Sequence, residues 1–204
     1  MLDPILESFR FNLARVERLL ALYDTLHGKG RGRRGVGATD LLRACTVFLH
    51  ATLEDFLRSV ARWRLPLAPP EVLDEVPVVG TTGRATAFKL GTLARFRGRT
   101  IDEFVAECVS SYLDRSNYNN TNEISGFLNS IGVPPAAVNK RFSDLDALMQ
   151  RRHLIVHQAD RTSDVGRGRY RTREITVHQV RTWITAAREF VAAAETELRK
   201  LPTQ

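Results

Sequence analysis

Apolar residues along this chain recur at threes and fours, and that period predicts helices. Residues 5–26 carry Leu6, Phe9, Leu13, Val16, Leu20 and Tyr23 on one stripe, with Glu7, Arg10, Arg15, Glu17 and Arg18 between them. A second pattern opens at Thr39, a suitable N-cap, and runs to about residue 65 through Leu42, Cys45, Phe48, Leu49, Leu53, Phe56, Leu57, Val60 and Trp63, where Pro66 stops it. Thr100 begins another helix, with Glu103 placed to complete a capping box, and that helix reaches about residue 113. A short helix over 123–131 ends at Gly132. Ser143 is the expected cap of a helix over 144–157, and Thr176 of a last one over 177–198 with Val180, Trp183, Ile184, Ala187, Phe190, Val191 and Ala194 on its apolar face. Shorter helical pieces fit 71–74, 85–95 and 136–141, and residues 171–176 could extend briefly.

No alternation at twos lasts more than a few residues, so the predicted class is all-α. The expected architecture is a four-helix up-and-down bundle with core helices at about 3–27, 39–65, 143–158 and 176–199. Additional short helices fill an insert at about 66–142, and the whole of 1–204 reads as one domain.

The connections differ in character. Residues 29–35 form a basic, glycine-rich loop, either a phosphate-contacting arm or a solvated linker. Residues 66–84 are rich in proline and glycine, and the GTTG at 80–83 is no phosphate loop because no Lys-Ser/Thr follows. Residues 114–122 are asparagine-rich, and Tyr118 within them could stack on a base or cover the edge of the core. Residues 161–173 read RTSDVGRGRYRTR, placing Tyr170 among Arg161, Arg167, Arg169, Arg171 and Arg173; this is the segment best suited to a polyanion.

Charge sharpens that expectation. Lys and Arg outnumber Asp and Glu 30 to 23, and the resulting net charge of +7 favours a polyanionic partner, nucleic acid first. Arginine far exceeds lysine, which an arginine-rich genome also explains. Cys45 and Cys108 each sit inside an apolar helical pattern and read as buried hydrophobes, excluding a disulfide framework. No apolar run is long enough to span a bilayer, and no leader pattern opens the chain, so no membrane partner and a cytoplasmic location are expected.

The chemistry gathers at 145–160, LDALMQRRHLIVHQAD, where Arg151, Arg152, His153 and His157 lie between two apolar sets. Arg152 and His157 form an R-x4-H pair. Five positions along a helix turn through about 140°, so the two do not stack, although a long arginine side chain can swing toward a shared cleft. His153 and His157 are four apart and share a face. An imidazole can move the proton of a ribose 2′-OH or of the leaving 5′-oxygen, and a guanidinium can hold the phosphate as charge develops on it. Such cleavage of RNA needs no metal and leaves a 2′,3′-cyclic phosphate. The spacing H-x3-H also occurs in helical zinc sites, but Leu154 stands where their glutamate would be, and His50 and His178 are unanchored as third ligands; neither metal nor other cofactor is expected. On spacing alone, a histidine satisfied at a helix C-terminus is an equal alternative. Glu54, among apolar neighbours on the second helix, is a candidate partner for a buried cation or a simple pair for Arg58.

RRHLIVHQAD, at the end of an amphipathic helix and followed by a basic loop and a final helix, resembles the HEPN superfamily and its R-x4-6-H signature. His153 occupies the polar position after the arginine, and Leu154-Ile-Val156 the apolar stretch before the histidine. The ATLEDF segment ending at Phe56 is similar to the acidic and aromatic part of an early HEPN helix, and the long insert is similar to the RiboL-PSP-type branch. The resemblance implies a helical bundle that dimerises, with two motifs facing each other as one metal-independent endoribonuclease site. It implies Arg152 as the phosphate-stabilising residue, His157 as the acid/base group, His153 as the polar neighbour and Glu54 as an orienter. Arg151, Arg161, Arg167, Arg169, Tyr170, Arg171 and Arg173 would then face RNA. Toxin–antitoxin, phage-defence or RNA-processing roles follow for the family, with an antitoxin or regulatory protein as a further partner. Some HEPN modules lack nuclease activity and bind nucleic acid or protein instead.

Overall fold

The architecture follows from where the apolar stripes meet. The structure, a computed structural model, describes residues 1–27, 36–79, 90–162 and 172–202. Four long helices carry the core: α1 (Leu2–His27), α2 (Val36–Arg64), α6 (Phe142–Gln158) and α7 (Val177–Leu198). Between α2 and α6 lie the short α3 (Pro70–Leu73), then α4 (Ile101–Leu113) and α5 (Thr121–Ser130), with 3-10 turns at Leu65–Leu67, Leu90–Phe96, Pro135–Ala137 and Asn139–Arg141. Among the described residues there is no strand, only an isolated antiparallel bridge between Arg161 and Thr172. The all-α expectation therefore holds.

α2 is the central element: it packs against α1, α4, α6 and α7. Leu42, Cys45, Leu49, Leu53, Phe56 and Leu57 on it are all buried, and each fully buried leucine contributes about 1.5–3 kcal/mol. Phe9 of α1 meets Phe56 edge-on, and the Cys45 thiol approaches the Val16 carbonyl at 3.9 Å, so α1 and α2 run antiparallel. Ion pairs Asp3–Arg199, Arg10–Glu195, Glu17–Arg188 and Asp24–Arg181 step along α1 and back along α7. Arg43 of α2 reaches Asp160 just beyond α6, which orients α6 opposite to α2. The four long helices thus alternate in direction.

Local signals set most helix ends. Thr100 accepts from the Glu103 N–H at 3.2 Å while Glu103 accepts from the Thr100 N–H at 2.9 Å, closing the expected capping box of α4. Thr176 and Gln179 close a second one at the start of α7. Asn120 caps α5, whose first residue, Thr121, is two ahead of the expected start, and Gly132 turns the chain at φ 81°. Other boundaries also differ from the sequence reading. α2 begins at Val36, so Thr39 lies within the helix and its hydroxyl accepts from Arg43 at 3.0 Å instead of capping. α6 begins at Phe142, with Arg141 in the cap position and no side-chain cap, so Ser143 lies inside the helix. The piece expected over 136–141 resolves into two 3-10 turns, Pro135–Ala137 and Asn139–Arg141. Of the helix expected over 85–95, only Leu90–Phe96 is described, as a 3-10 turn.

Candidate functional site

Leu145, Leu148 and Met149 anchor α6 in the core. Beyond them the helix carries its polar residues in three directions, and its C-terminal turn stands partly clear of the bundle. Leu154 and Ile155 are half-buried and Val156 is 48% exposed.

Arg151 is bound into the fold. Its guanidinium donates to Asp160 Oδ2 at 2.8 Å and to the carbonyls of Arg173 and Glu174, each at 3.0 Å. Asp160 is fully buried and takes a second arginine, Arg43, whose Nε donates to the same oxygen at 2.7 Å. Arg43 Nη2 also reaches the Arg173 carbonyl at 2.9 Å, and the Arg173 N–H donates to the Asp160 carbonyl at 2.8 Å. Burial lowers the pKa of Arg151, and the Asp160 charge opposes that shift. Ala159 and Asp160 both adopt left-handed backbone, at φ 48° and 56°. Such a conformation costs a non-glycine residue about 1–2 kcal/mol, which the buried ion pairs and the Asp160 N–H bond to the Leu154 carbonyl offset. The clamp therefore fixes three things at once: the end of α6, the N-terminal part of α2 and the approach to α7. Arg151, expected to face RNA, is 13% exposed at its side chain and serves this clamp.

Arg152 behaves differently. It is half-buried and forms no ion pair or hydrogen bond among the described residues. Its charge acts on His50 of α2, a residue only 2% exposed. Burial lowers the pKa of His50 most and the Arg152 charge lowers it further, against the opposing pull of Glu54 and the backbone of Tyr118. His50 Nδ1 is buried without a hydrogen-bond partner and lies 3.7 Å from Glu54 Oε2, too far for a hydrogen bond. Glu54 instead accepts from Arg58 at 2.9 Å, and Arg58 donates onward to the carbonyls of Leu113 and Ser116. The structure thus places Glu54 one turn from His50 and in a pair with Arg58, not on His157.

His153 and His157 are both exposed, with ring centroids 4.6 Å apart and planes tilted by 44°. His153 borders a cleft of about 340 Å³ shared with Asn119, Met149, Gln150 and Leu154. Arg152 and His157 lie five residues apart in the helix, hence about 140° apart around it. The Arg152 charge is felt by His50 of α2, and His157 is exposed. No hydrogen bond joins Arg152 to His157 among the described residues.

The remaining expected residues divide. Arg161 is exposed and bridges to Thr172, and Arg173 is half-buried at the clamp with its Nε unpartnered. Arg167, Arg169, Tyr170 and Arg171 lie outside the described residues, as does the basic loop at 29–35. Tyr118 is 5% exposed, its ring 5.5 Å from that of Phe127, so it closes the core edge instead of offering a free stacking face. Burial raises its pKa. His178 is exposed in the first turn of α7, and among the described residues no three His, Cys, Asp or Glu side chains gather closely enough to hold a metal ion. His50 and the Arg43–Asp160 pair are the polar features that spacing on α6 alone did not single out. The signal for His50 and Arg43 was present in α2, where Arg43, Thr46, His50 and Glu54 recur at threes and fours inside an otherwise apolar helix.

A family profile described as RiboL-PSP-HEPN matches residues 11–200. Comparison with curated proteins and with solved structures returns no match. Among the described residues, no helix is long and apolar enough to cross a membrane.

Proposed function

Because the chain belongs to the RiboL-PSP-HEPN family, we propose that it is a metal-independent endoribonuclease whose active site is built by two copies of the chain. The observation that carries this reading is the contrast between adjacent arginines: Arg151 is bound into the fold, while Arg152 has no hydrogen-bonded or ion-paired partner among the described residues. An unpaired, half-buried guanidinium beside a neutral imidazole is suited to receive a phosphate.

In this reading Arg152 holds the scissile phosphate and stabilises the charge that builds on it. His157 removes the 2′-OH proton or protonates the departing 5′-oxygen, and His153 shares the proton or orients the neighbouring ring. The attacking 2′-oxygen displaces the 5′-oxygen, and the product carries a 2′,3′-cyclic phosphate. The angular separation of Arg152 and His157 is the reason for invoking two copies, since His157 of one chain can meet Arg152 of another across a two-fold axis. The exposed Val156, flanked by half-buried Leu154 and Ile155, supplies apolar surface for that contact. The cleft beside His153 and the exposed Arg161 are where the RNA would continue. Arg167, Arg169, Tyr170, Arg171 and Arg173 extend that basic run in sequence. A cytoplasmic role in toxin–antitoxin, defence or RNA-stress biology, with a neutralising or regulatory protein partner, fits such an enzyme.

The test is cleavage of structured and single-stranded RNA by the purified chain in EDTA. Cleavage that yields 2′,3′-cyclic phosphate ends and falls at least 100-fold in both Arg152→Ala and His157→Ala is expected. Cleavage that survives in His157→Ala overturns the assignment. RNA binding without cleavage assigns the chain to the non-catalytic HEPN modules.

A further inference from the structure

The two sides of α1 are used unequally. On the side toward α7, Asp3, Glu17 and Asp24 are paired with Arg199, Arg188 and Arg181, and Arg10 with Glu195. Arg15 and Arg18 form no ion pair among the described residues, and Arg15 reaches only the Asn12 side chain of its own helix, at 3.2 Å. Phe11, Arg15, Arg18, Leu22 and Leu26 follow one another at threes and fours, so they share one exposed stripe of α1. Phe11, Leu22, Leu26 and Phe48 of α2 are four of the eight large apolar side chains exposed among the described residues. Apolar residues scattered singly over a surface need no explanation, but a concentration of this kind marks an interaction site.

Between α1 and α2 this surface is concave. A groove of about 420 Å³ has the buried Val16 and Thr52 at its floor, and Leu19, Leu22 and Phe48 add apolar wall. The exposed Arg15 and Arg18 line it as well. No carboxylate does; Asp55, about two turns beyond Phe48 on α2, lies outside the lining. Phe48 is two residues from His50, hence about 200° around α2, so the groove opens on the face of α2 away from α6.

We propose that this groove docks an acidic amphipathic helix of a partner protein. The apolar face of that helix covers Leu19, Leu22 and Phe48, and carboxylates beside it pair with Arg15 and Arg18. The stripe from Phe11 to Leu26 rises about 22 Å along α1, which accommodates a helix of about fifteen residues. A second copy of this chain is a poorer occupant, because a two-fold contact sets Arg15 and Arg18 against their own equivalents. A nucleic acid would satisfy the two arginines but gains little from the aliphatic Val16, Leu19 and Leu22. The groove does not rest on the ribonuclease reading, since none of its residues belongs to the Arg152–His157 region.

Fluorescence anisotropy of the full chain with a labelled helical peptide of about fifteen residues tests it, with leucine at threes and fours on one face and glutamate on the flanks. Saturable binding is expected, weakened at least tenfold in Arg15→Glu/Arg18→Glu and in Phe48→Ser, while the circular dichroism of both variants stays unchanged. The same peptide with lysine in place of glutamate should not bind the wild type but should bind Arg15→Glu/Arg18→Glu. Absence of binding by the acidic peptide, binding that both variants leave unchanged, or equal binding of the lysine peptide to the wild type overturns the proposal. Single-stranded RNA or vesicles of anionic phospholipid that exclude the peptide, and whose own binding is lost in the same variants, would assign the face to those surfaces and overturn it too. A dimer, measured by light scattering, that Phe48→Ser abolishes would assign it to a second copy and likewise overturn it.

Discussion

Asp160 holds the guanidinium of Arg151 at 2.8 Å, and this contact separates two arginines that adjoin in sequence. Arg151 is tied to the segment that follows α6; the Arg152 charge acts on His50 of α2. Asp160 itself is fully buried, with Oδ1 unpartnered, and answers two arginine charges. Its environment therefore tolerates no neutral substitute without leaving a cation buried.

Removing the shared carboxylate should destabilise the fold strongly. Asp160→Ala leaves Arg43 and Arg151 without it at once, and breaking a buried ion pair from one side costs about 3–5 kcal/mol. Urea unfolding should show this as a lower midpoint at an unchanged slope. Arg152→Ala, which breaks no ion pair among the described residues, should shift the midpoint far less. Equal losses in the two variants would contradict the distinction drawn between the two arginines.

His50 makes stability fall in mild acid. Burial, reinforced by the Arg152 charge, lowers its pKa below the ordinary 6.5, with Glu54 and the Tyr118 backbone pulling the other way. The unfolded chain thus takes up a proton at this residue before the folded chain does. The contribution is complete above pH 6.5 and is lost as pH falls from there toward the lowered folded value. Melting temperatures measured between about pH 8 and 5, the range in which an ordinary histidine titrates, should drop more steeply for the wild type than for His50→Gln. Arg152→Ala, by removing one cause of the shift, should flatten the profile part of the way. Parallel profiles for all three would show that His50 is not held neutral.

Gly126→Ala should stabilise the protein. The added methyl meets no atom within 4 Å, and alanine improves on glycine in a helix interior by about 1 kcal/mol. Thermal unfolding should show a rise of a few degrees. A fall would mean that the backbone at this position is not that of an ordinary helix.

The helices were legible because their signals are local. Periodic leucines, the Thr100–Glu103 box, the Thr176 cap and the Gly132 turn all act within a few residues. Starts without a side-chain cap were less so: α6 opens at Phe142, and Thr39, a good cap by type, is drawn to Arg43 inside α2. The R-x4-H motif was readable as a string, and its helical spacing already showed that the two residues do not stack. What spacing could not supply is the contact between Arg43 and Asp160, 117 residues apart, which buries the carboxylate that Arg151 binds. Nor could it place His50 beside Arg152, because that neighbourhood exists only once α2 and α6 are packed. The asparagine-rich stretch left open whether Tyr118 would stack on a base or cover the core edge, since its burial depends on packing against Phe127 of α5.

The central claim is that two copies of the chain meet at the end of α6. Cys45 and Cys108 are buried, so a His157→Cys variant carries one exposed thiol. Light scattering gives the mass in solution, and a short bis-maleimide reports whether two such thiols approach. A dimer that crosslinks through position 157, and no longer does so when Val156→Glu is added, is the predicted result. A monomer at micromolar concentration, or a dimer whose introduced thiols never crosslink, would contradict the composite site.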